Sequence, residues 1–240
     1  MNENHLAIVL RSADYKDNDK MLTLLTAKKG KISALARGIR KQSSTMFGTA
    51  DIFCCSEFGF YIKNERYIVT QSLLKKSFYN IREDFKRLIT ASAIIEIVET
   101  VSTEEQESSR LFALLAASLY ALDNRKNEES IFLFFCIKLL DILGMRPETD
   151  KCVLCGKRGC NKINIYKGGV VCENCVGEFV NEDFLKHIKN ILSTPSKNMS
   201  GQEYDIDLKA IDLASRWICG EIGKTPKSVK IMLDTFNDTI

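Results

Sequence analysis

Apolar positions come in short β-type runs over the first 80 residues and at helical spacing beyond them. Residues 6–10 form one apolar run. Residues 21–26 form another, ended by Lys28-Lys29-Gly30-Lys31, whose glycine suits a tight turn. Residues 32–36 follow as a partner strand. Residues 51–62 are rich in Phe, Ile and Tyr, and Lys63-Asn64-Glu65-Arg66 turns the chain into the β-prone run Tyr67-Ile68-Val69-Thr70. Five short strands predict a small barrel or sandwich, and a five-stranded OB-type β-barrel fits the count.

After residue 80 the period becomes helical. Phe85, Leu88, Ile89, Ile95, Val98 and Val101 repeat at three, four and seven. Thr103 with Gln106 reads as a capping box opening a second helix through Leu111, Leu114, Leu115, Leu119 and Leu122. A third starts near Asn127-Glu128-Glu129 and stops at Gly144, with Pro147 beyond. Two more are expected at about 181–193 and 206–222. The class is therefore α+β: a barrel domain at 1–80, then a helical domain at 81–240.

Composition narrows the classes. Of 240 residues, 45% are hydrophobic and 27% charged, as in an ordinary globular chain rather than a disordered or fibrous one. No apolar run reaches the roughly 18 residues of a membrane span, and the N-terminus has no basic segment leading a signal peptide. A cytoplasmic location without a membrane partner is expected. The net charge is only +3, but it is segregated. Residues 1–80 hold 13 Lys/Arg against 7 Asp/Glu, and residues 28–41 hold six basic residues and no acid.

Nine cysteines, an odd number with four in two close pairs, fit metal binding better than a disulfide framework. Cys152-x-x-Cys155 and Cys172-x-x-Cys175 are separated by sixteen residues. Each pair converges two thiolates from a tight knuckle, and two knuckles complete a tetrahedron at about 2.3 Å per Zn–S bond. Gly168-Gly169 supplies a hairpin tip leading into the second knuckle. This zinc-ribbon pattern, set into the helical domain at about 150–178, predicts one structural Zn²⁺ on Cys152, Cys155, Cys172 and Cys175. A relic or redox pair and an iron–sulfur cluster are the alternatives. Cys160 is a nearby spare thiol, and Cys54, Cys55, Cys136 and Cys219 read as core residues.

The basic segment reads either as a phosphate-backbone groove with stacking faces from Phe47, Phe58, Phe60, Tyr61 and Tyr67, or as a solvated hairpin over an aromatic core. No catalytic constellation is visible: His5 and His187 are far apart, and no Walker loop, nucleophile elbow or dinucleotide fingerprint occurs. The acids Glu104, Glu105 and Glu107 read as a solvated charge run.

Together these features resemble the RecO family of bacterial DNA repair and recombination mediators. The resemblance is carried by Val9-Leu10-Arg11-Ser12, by Asp19-Lys20-Met21-Leu22-Thr23-Leu24-Leu25-Thr26, and by Gly30-Lys31-Ile32-Ser33-Ala34-Leu35-Ala36-Arg37-Gly38-Ile39-Arg40. Further along it is carried by Arg82-Glu83-Asp84-Phe85, Leu143-Gly144-Met145-Arg146-Pro147, the cysteine pairs and Lys224-Thr225-Pro226-Lys227-Ser228. Lys20 stands where the family usually has arginine, and Cys160 is an extra thiol. The resemblance implies binding of single- and double-stranded DNA and annealing of complementary strands. It also implies help in replacing single-strand-binding protein with the recombinase, together with RecR, with no enzymatic step. The expected partners are therefore DNA, RecR, the C-terminal tail of single-strand-binding protein and, indirectly, the recombinase, near the nucleoid. Arg11, Lys20, Lys29, Lys31, Arg37, Arg40 and Lys41 are the expected phosphate contacts. Two rival readings are a zinc-ribbon adaptor or transcription regulator, which would bind protein or a defined duplex site, and a cysteine-based redox enzyme, which would need an accessible low-pKa thiol.

Overall fold

Alternating apolar positions in β1 (Asn2–Tyr15), β2 (Asp19–Thr26), β3 (Gly30–Ala36), β4 (Cys55–Lys63) and β5 (Arg66–Lys76) roll these strands into a closed barrel. The structure is a computed structural model that describes residues 2–104, 106–124 and 127–237. The barrel order is β1-β2-β3-β5-β4, with β4 returning to β1. Only β3 and β5 run parallel; the other ladders are antiparallel. This is the expected OB-type closure, which leaves no long free sheet edge. Inside lie Ala7, Val9, Leu22, Leu24, Ile32, Phe58, Phe60, Tyr67 and Val69.

Three strand limits differ from the sequence reading. β1 and β5 are much longer than their apolar centres, because their polar ends still pair in the ladders. β4 begins at Cys55 rather than residue 51. Phe53 is left-handed (φ 74°), and the Cys54 amide donates to the Asp51 carbonyl at 3.1 Å, so residues 51–54 form a turn.

A short 3-10 helix, Tyr79–Glu83, leads into α1 (Phe85–Val101), α2 (Ser109–Asn124) and α3 (Glu128–Ile142). Asp84 and Asn127 cap α1 and α3 with their side chains. α3 is apolar nearly all round and is the central core helix, with residues 130–140 all buried. α4 (Glu182–Ser193), α5 (Leu208–Glu221) and α6 (Lys227–Asn237) complete the helical part.

The Thr103–Gln106 capping box does not form. The Thr103 hydroxyl donates to the Gln106 side chain, yet α2 opens only at Ser109. The loop is instead held against the β2–β3 turn. Lys31 N–H donates to Thr103 O at 3.1 Å, and the Ser108 hydroxyl donates to Thr26 O at 3.0 Å. Of the acids read as a charge run there, Glu105 lies outside the described residues, as do residues 238–240 of the helical part. α6 goes beyond the sequence reading. Its buried positions are only Ser228, Val229, Met232 and Phe236, and its opening follows Pro226.

β6 (Cys160–Asn164), β7 (Gly169–Cys172) and β8 (Glu178–Phe179) form a small sheet in the order β7-β6-β8 between α3 and α4. It is tied to α5 by Arg216, whose guanidinium donates to both carboxylate oxygens of Glu178 at 2.8 and 2.6 Å. The barrel and helices share a second core. Ile8, Leu10 and Leu25 point out of the barrel and pack into the helical cluster. β1 is thus buried on both faces over residues 7–10, which explains its unbroken apolar run.

Candidate nucleic-acid interface and metal centre

Strand register builds a platform on the outer face of the barrel. Ala13 opposes Met21, Met21 opposes Leu35, Leu35 opposes Ile68, and Ile68 opposes Tyr61. Opposed residues share a face, so this row crosses all five strands. Met21, Leu35 and Ile68 floor a cleft of about 570 Å³ whose walls are Tyr15 at the end of β1 and the β4–β5 hairpin. The hairpin turns on two left-handed residues, Asn64 (φ 48°) and Glu65 (φ 60°), as a two-residue loop of the primed type requires. Its flanks put Lys63 and Arg66 on the rim opposite Arg37. Tyr15 is half exposed and lies against the Lys16 ammonium at 5.5 Å.

Arg37 also lines a second cleft of about 500 Å³, with Lys16, Lys41 and the loop between β1 and β2. Gly38 anchors this loop, its amide donating to the Asp19 carboxylate at 2.8 Å. Arg37, Lys41, Lys63 and Arg66 are exposed, and none has an ion pair to a described residue. Arg40 and Lys20 stand beside them in a third cleft with the exposed Phe47. Both are partnered: Arg40 to Asp14 at 3.2 Å and Lys20 to Asp51 at 3.3 Å. The strand 2–3 face with the loops flanking it is the region through which OB barrels take oligonucleotides.

Of the seven basic residues expected from the sequence, the structure brings Lys20, Arg37, Arg40 and Lys41 together at this end. Arg11, Lys29 and Lys31 lie elsewhere. Arg11 faces Glu99 of α1 at 3.9 Å, and Lys31 Nζ donates to the Glu99 carbonyl at 2.9 Å. Lys29 sits 3.8 Å from Glu3, at the β2–β3 turn. Seven residues of strand, or about 23 Å, separate Lys29 from the Arg37 end. Lys63, Arg66, Lys16 and Tyr15, which the sequence did not single out, line the same clefts. The available signal was a cation on each side of a two-residue hairpin. Of the candidate stacking aromatics, Phe58, Phe60 and Tyr67 fill the barrel, while Phe47 and Tyr61 are exposed.

The two cysteine knuckles meet across the ribbon. Gly156 (φ 76°) closes the first, its amide donating to the Cys152 carbonyl at 2.8 Å. In the second, the Cys175 amide donates to the Cys172 carbonyl at 3.0 Å. The Val153 amide donates to Val170 O at 3.0 Å and so pins the first knuckle to β7. The four Sγ atoms of Cys152, Cys155, Cys172 and Cys175 lie within 4.8 Å of one another, and Cys155 and Cys172 are 3.5 Å apart. A tetrahedron with bonds of about 2.3 Å has sulfur–sulfur edges of about 3.8 Å, so the set can hold one four-coordinate ion.

The thiols of Cys152, Cys155 and Cys175 shift one another's titration. Desolvation opposes ionisation of Cys152, but donors from the backbone of Cys172, Leu154 and Cys155 bring it down to about 6. Cys175, facing the thiols of Cys172 and Cys152, is pushed up to about 12. One sulfur carries charge readily and its neighbours then resist, which is the electrostatic setting a divalent cation relieves. Cys160 is half-buried and stands outside the four-sulfur set. Cys54, Cys136 and Cys219 are buried and Cys55 is half-buried, with burial raising all four thiols. The two histidines stay apart: His5 pairs with Glu3 at 2.8 Å, and the His187 ring packs against Tyr204.

Comparison with known proteins agrees with this architecture. The family described as "Recombination protein O N terminal" matches residues 1–78, and "Recombination protein O C terminal" matches residues 82–197. The chain is 37% identical over 172 residues to the DNA repair protein RecO of Alkaliphilus metalliredigens, covering 70% of each chain. It is 33% identical over 193 residues to that of Caldanaerobacter subterraneus, covering 78% of each, and 33% identical over 169 residues to that of Bacillus pumilus, covering 70% of this chain and 66% of the relative.

Proposed function

The chain belongs to the RecO family of DNA repair proteins, and from that premise we propose that it is a recombination mediator working by binding alone. It takes up single- and double-stranded DNA, anneals complementary strands, and with RecR helps the recombinase replace single-strand-binding protein, whose C-terminal tail it contacts. Residues 1–80 are the DNA-binding domain. Residues 81–240 are the helical domain, with the ribbon inserted at about 150–178.

The observation that carries this reading is the exposed cationic rim of Arg37, Lys41, Lys63 and Arg66, without ion pairs to described residues, around an apolar platform bordered by Tyr15. Cations track phosphates without regard to sequence, and an aromatic or apolar surface accepts any base by its face. Lys20 and Arg40 extend the rim if DNA displaces Asp51 and Asp14 from them. A mediator must act on any broken DNA, and this chemistry is indifferent to sequence. Holding two strands on one positive surface also screens their mutual repulsion, which favours annealing.

We further infer that the four-thiol centre binds one structural Zn²⁺. Four thiolates leave no position for water, so the ion would fix the ribbon rather than activate a substrate.

The test is annealing of two complementary oligonucleotides coated with single-strand-binding protein, with and without this protein. Acceleration that is insensitive to oligonucleotide sequence supports the mediator reading. Binding confined to one duplex sequence, with no acceleration, would favour a transcription regulator instead.

A further inference from the structure

One thiol beside the metal centre has no role in it. Cys160 opens β6 and pairs with Cys172 of β7, one β-bulge away from the regular ladder that begins at Lys162. Paired positions in an antiparallel sheet have Cα atoms about 4.5–5.5 Å apart, within the 4.4–6.8 Å span that a disulfide bridges. Cys160 packs against the cluster of Cys152, Val171 and Cys172. Its thiol donates to Lys157 O at 3.6 Å, the same carbonyl that receives the Cys152 amide at 2.8 Å. The extra sulfur is therefore held by the first knuckle and aligned with a ligand of the second. It is also only half-buried, open to a small oxidant.

We propose that Cys160 and Cys172 form a disulfide under oxidation by hydrogen peroxide, removing one of the four metal ligands and releasing the ion. This inference rests on the reading of the four cysteines as a zinc centre. Peroxide transfers one oxygen to a sulfur of the pair as its O–O bond breaks, giving a sulfenic acid. The second sulfur attacks; the S–S bond forms and the S–O bond breaks. The two sulfurs lose two electrons and the peroxide gains them. Both oxygens leave as water, with protons drawn from the Cys160 thiol and from solvent. Three thiolates remain, the coordination shell is open, and the knuckles lose their common tie. A thiol reductant restores Cys172 and with it the site.

The test uses the full-length, zinc-loaded protein and its Cys160→Ser variant, whose metal content is measured first. Each is treated with hydrogen peroxide while released zinc is followed with a chromogenic chelator, and the products are mapped by mass spectrometry without reduction. The wild type should lose its zinc several-fold faster than Cys160→Ser, yield a peptide joining Cys160 to Cys172, and rebind zinc after reduction. Equal release rates, or a disulfide confined to the four-cysteine set, would overturn the proposal. Purified protein that holds no zinc at all would contradict the metal reading by itself. Peptide mapping then still decides the disulfide, since the Cys160–Cys172 link forms or does not form in the same sample.

Discussion

Arg37 borders two clefts at once, and its position shows what local sequence can and cannot disclose. The clustering of the four cysteines was legible because two Cys-x-x-Cys knuckles carry their geometry within a few residues each. The face proposed for nucleic acid was only partly legible. Arg37 and Lys41 follow β3 in sequence, but Lys63 and Arg66 join them only once β5 pairs in parallel with β3. Conversely, Lys29 and Lys31 belong to the same basic stretch as Arg37 and Lys41, yet Lys29 faces Glu3 and Lys31, like Arg11 further upstream, is held at Glu99. Charge runs are visible in sequence; their partners are not. At the metal site, Cys172→Ser should reduce bound zinc below one equivalent and increase protease cleavage between residues 150 and 180, while leaving DNA binding by the barrel. Full zinc occupancy in that variant, measured by atomic absorption, would reassign a ligand.

At the level of elements, the β2–β3 turn and the loop before α2 define each other. Gly30 is left-handed (φ 61°), and a Cβ there would lie 2.3 Å from the Gln106 carbonyl oxygen. Gly30→Ala should therefore cost about 1–3 kcal/mol, read as a lower denaturation midpoint with an unchanged slope. The same contact explains why the Thr103–Gln106 signature failed as a helix start: tertiary bonds to Lys31 and Thr26 hold that loop extended until Ser109. α6 was hidden for a related reason, since its first turn is satisfied from another helix. The Glu96 carboxylate of α1 accepts from the Ser228 amide at 3.2 Å and from its hydroxyl at 2.7 Å. Burial works against the charge, but these bonds, the Lys227 amide and nearby Lys224 hold the Glu96 carboxyl below its ordinary value of 4.5. The stability it contributes is full above that ordinary value and is lost as pH falls through the lowered one. Glu96→Gln should cost about 1 kcal/mol at neutral pH, and the difference from wild type should shrink in acid. A pH-independent difference in denaturation midpoints would count against this cap.

For the whole molecule, the barrel uses both faces of β1, one for its own interior and one for the helical core. The junction covers the face bearing Ile8, Leu10 and Leu25 and leaves the strand 2–3 face open. The ribbon packs Ile163, Ile165 and Val170 into the helical core, is stitched to α5 by Arg216 and Glu178, and keeps its thiols in a cluster of their own. Chelating the metal should therefore loosen the ribbon without unfolding the barrel. Hydrogen exchange should then show faster amides over residues 152–179 and unchanged protection in β2 and β3.

The salt dependence of single-strand binding by the wild type and by Arg37→Ala/Arg66→Ala tests whether DNA lies on this face of the barrel. Both cations line the platform cleft and neither has an ion pair to a described residue. If the cleft holds the DNA backbone, the double variant should bind more weakly on every oligonucleotide sequence, and its log–log salt slope should fall by roughly 0.7 per lost phosphate contact. An unchanged affinity and slope would show that nucleic acid does not pass over this face of the barrel.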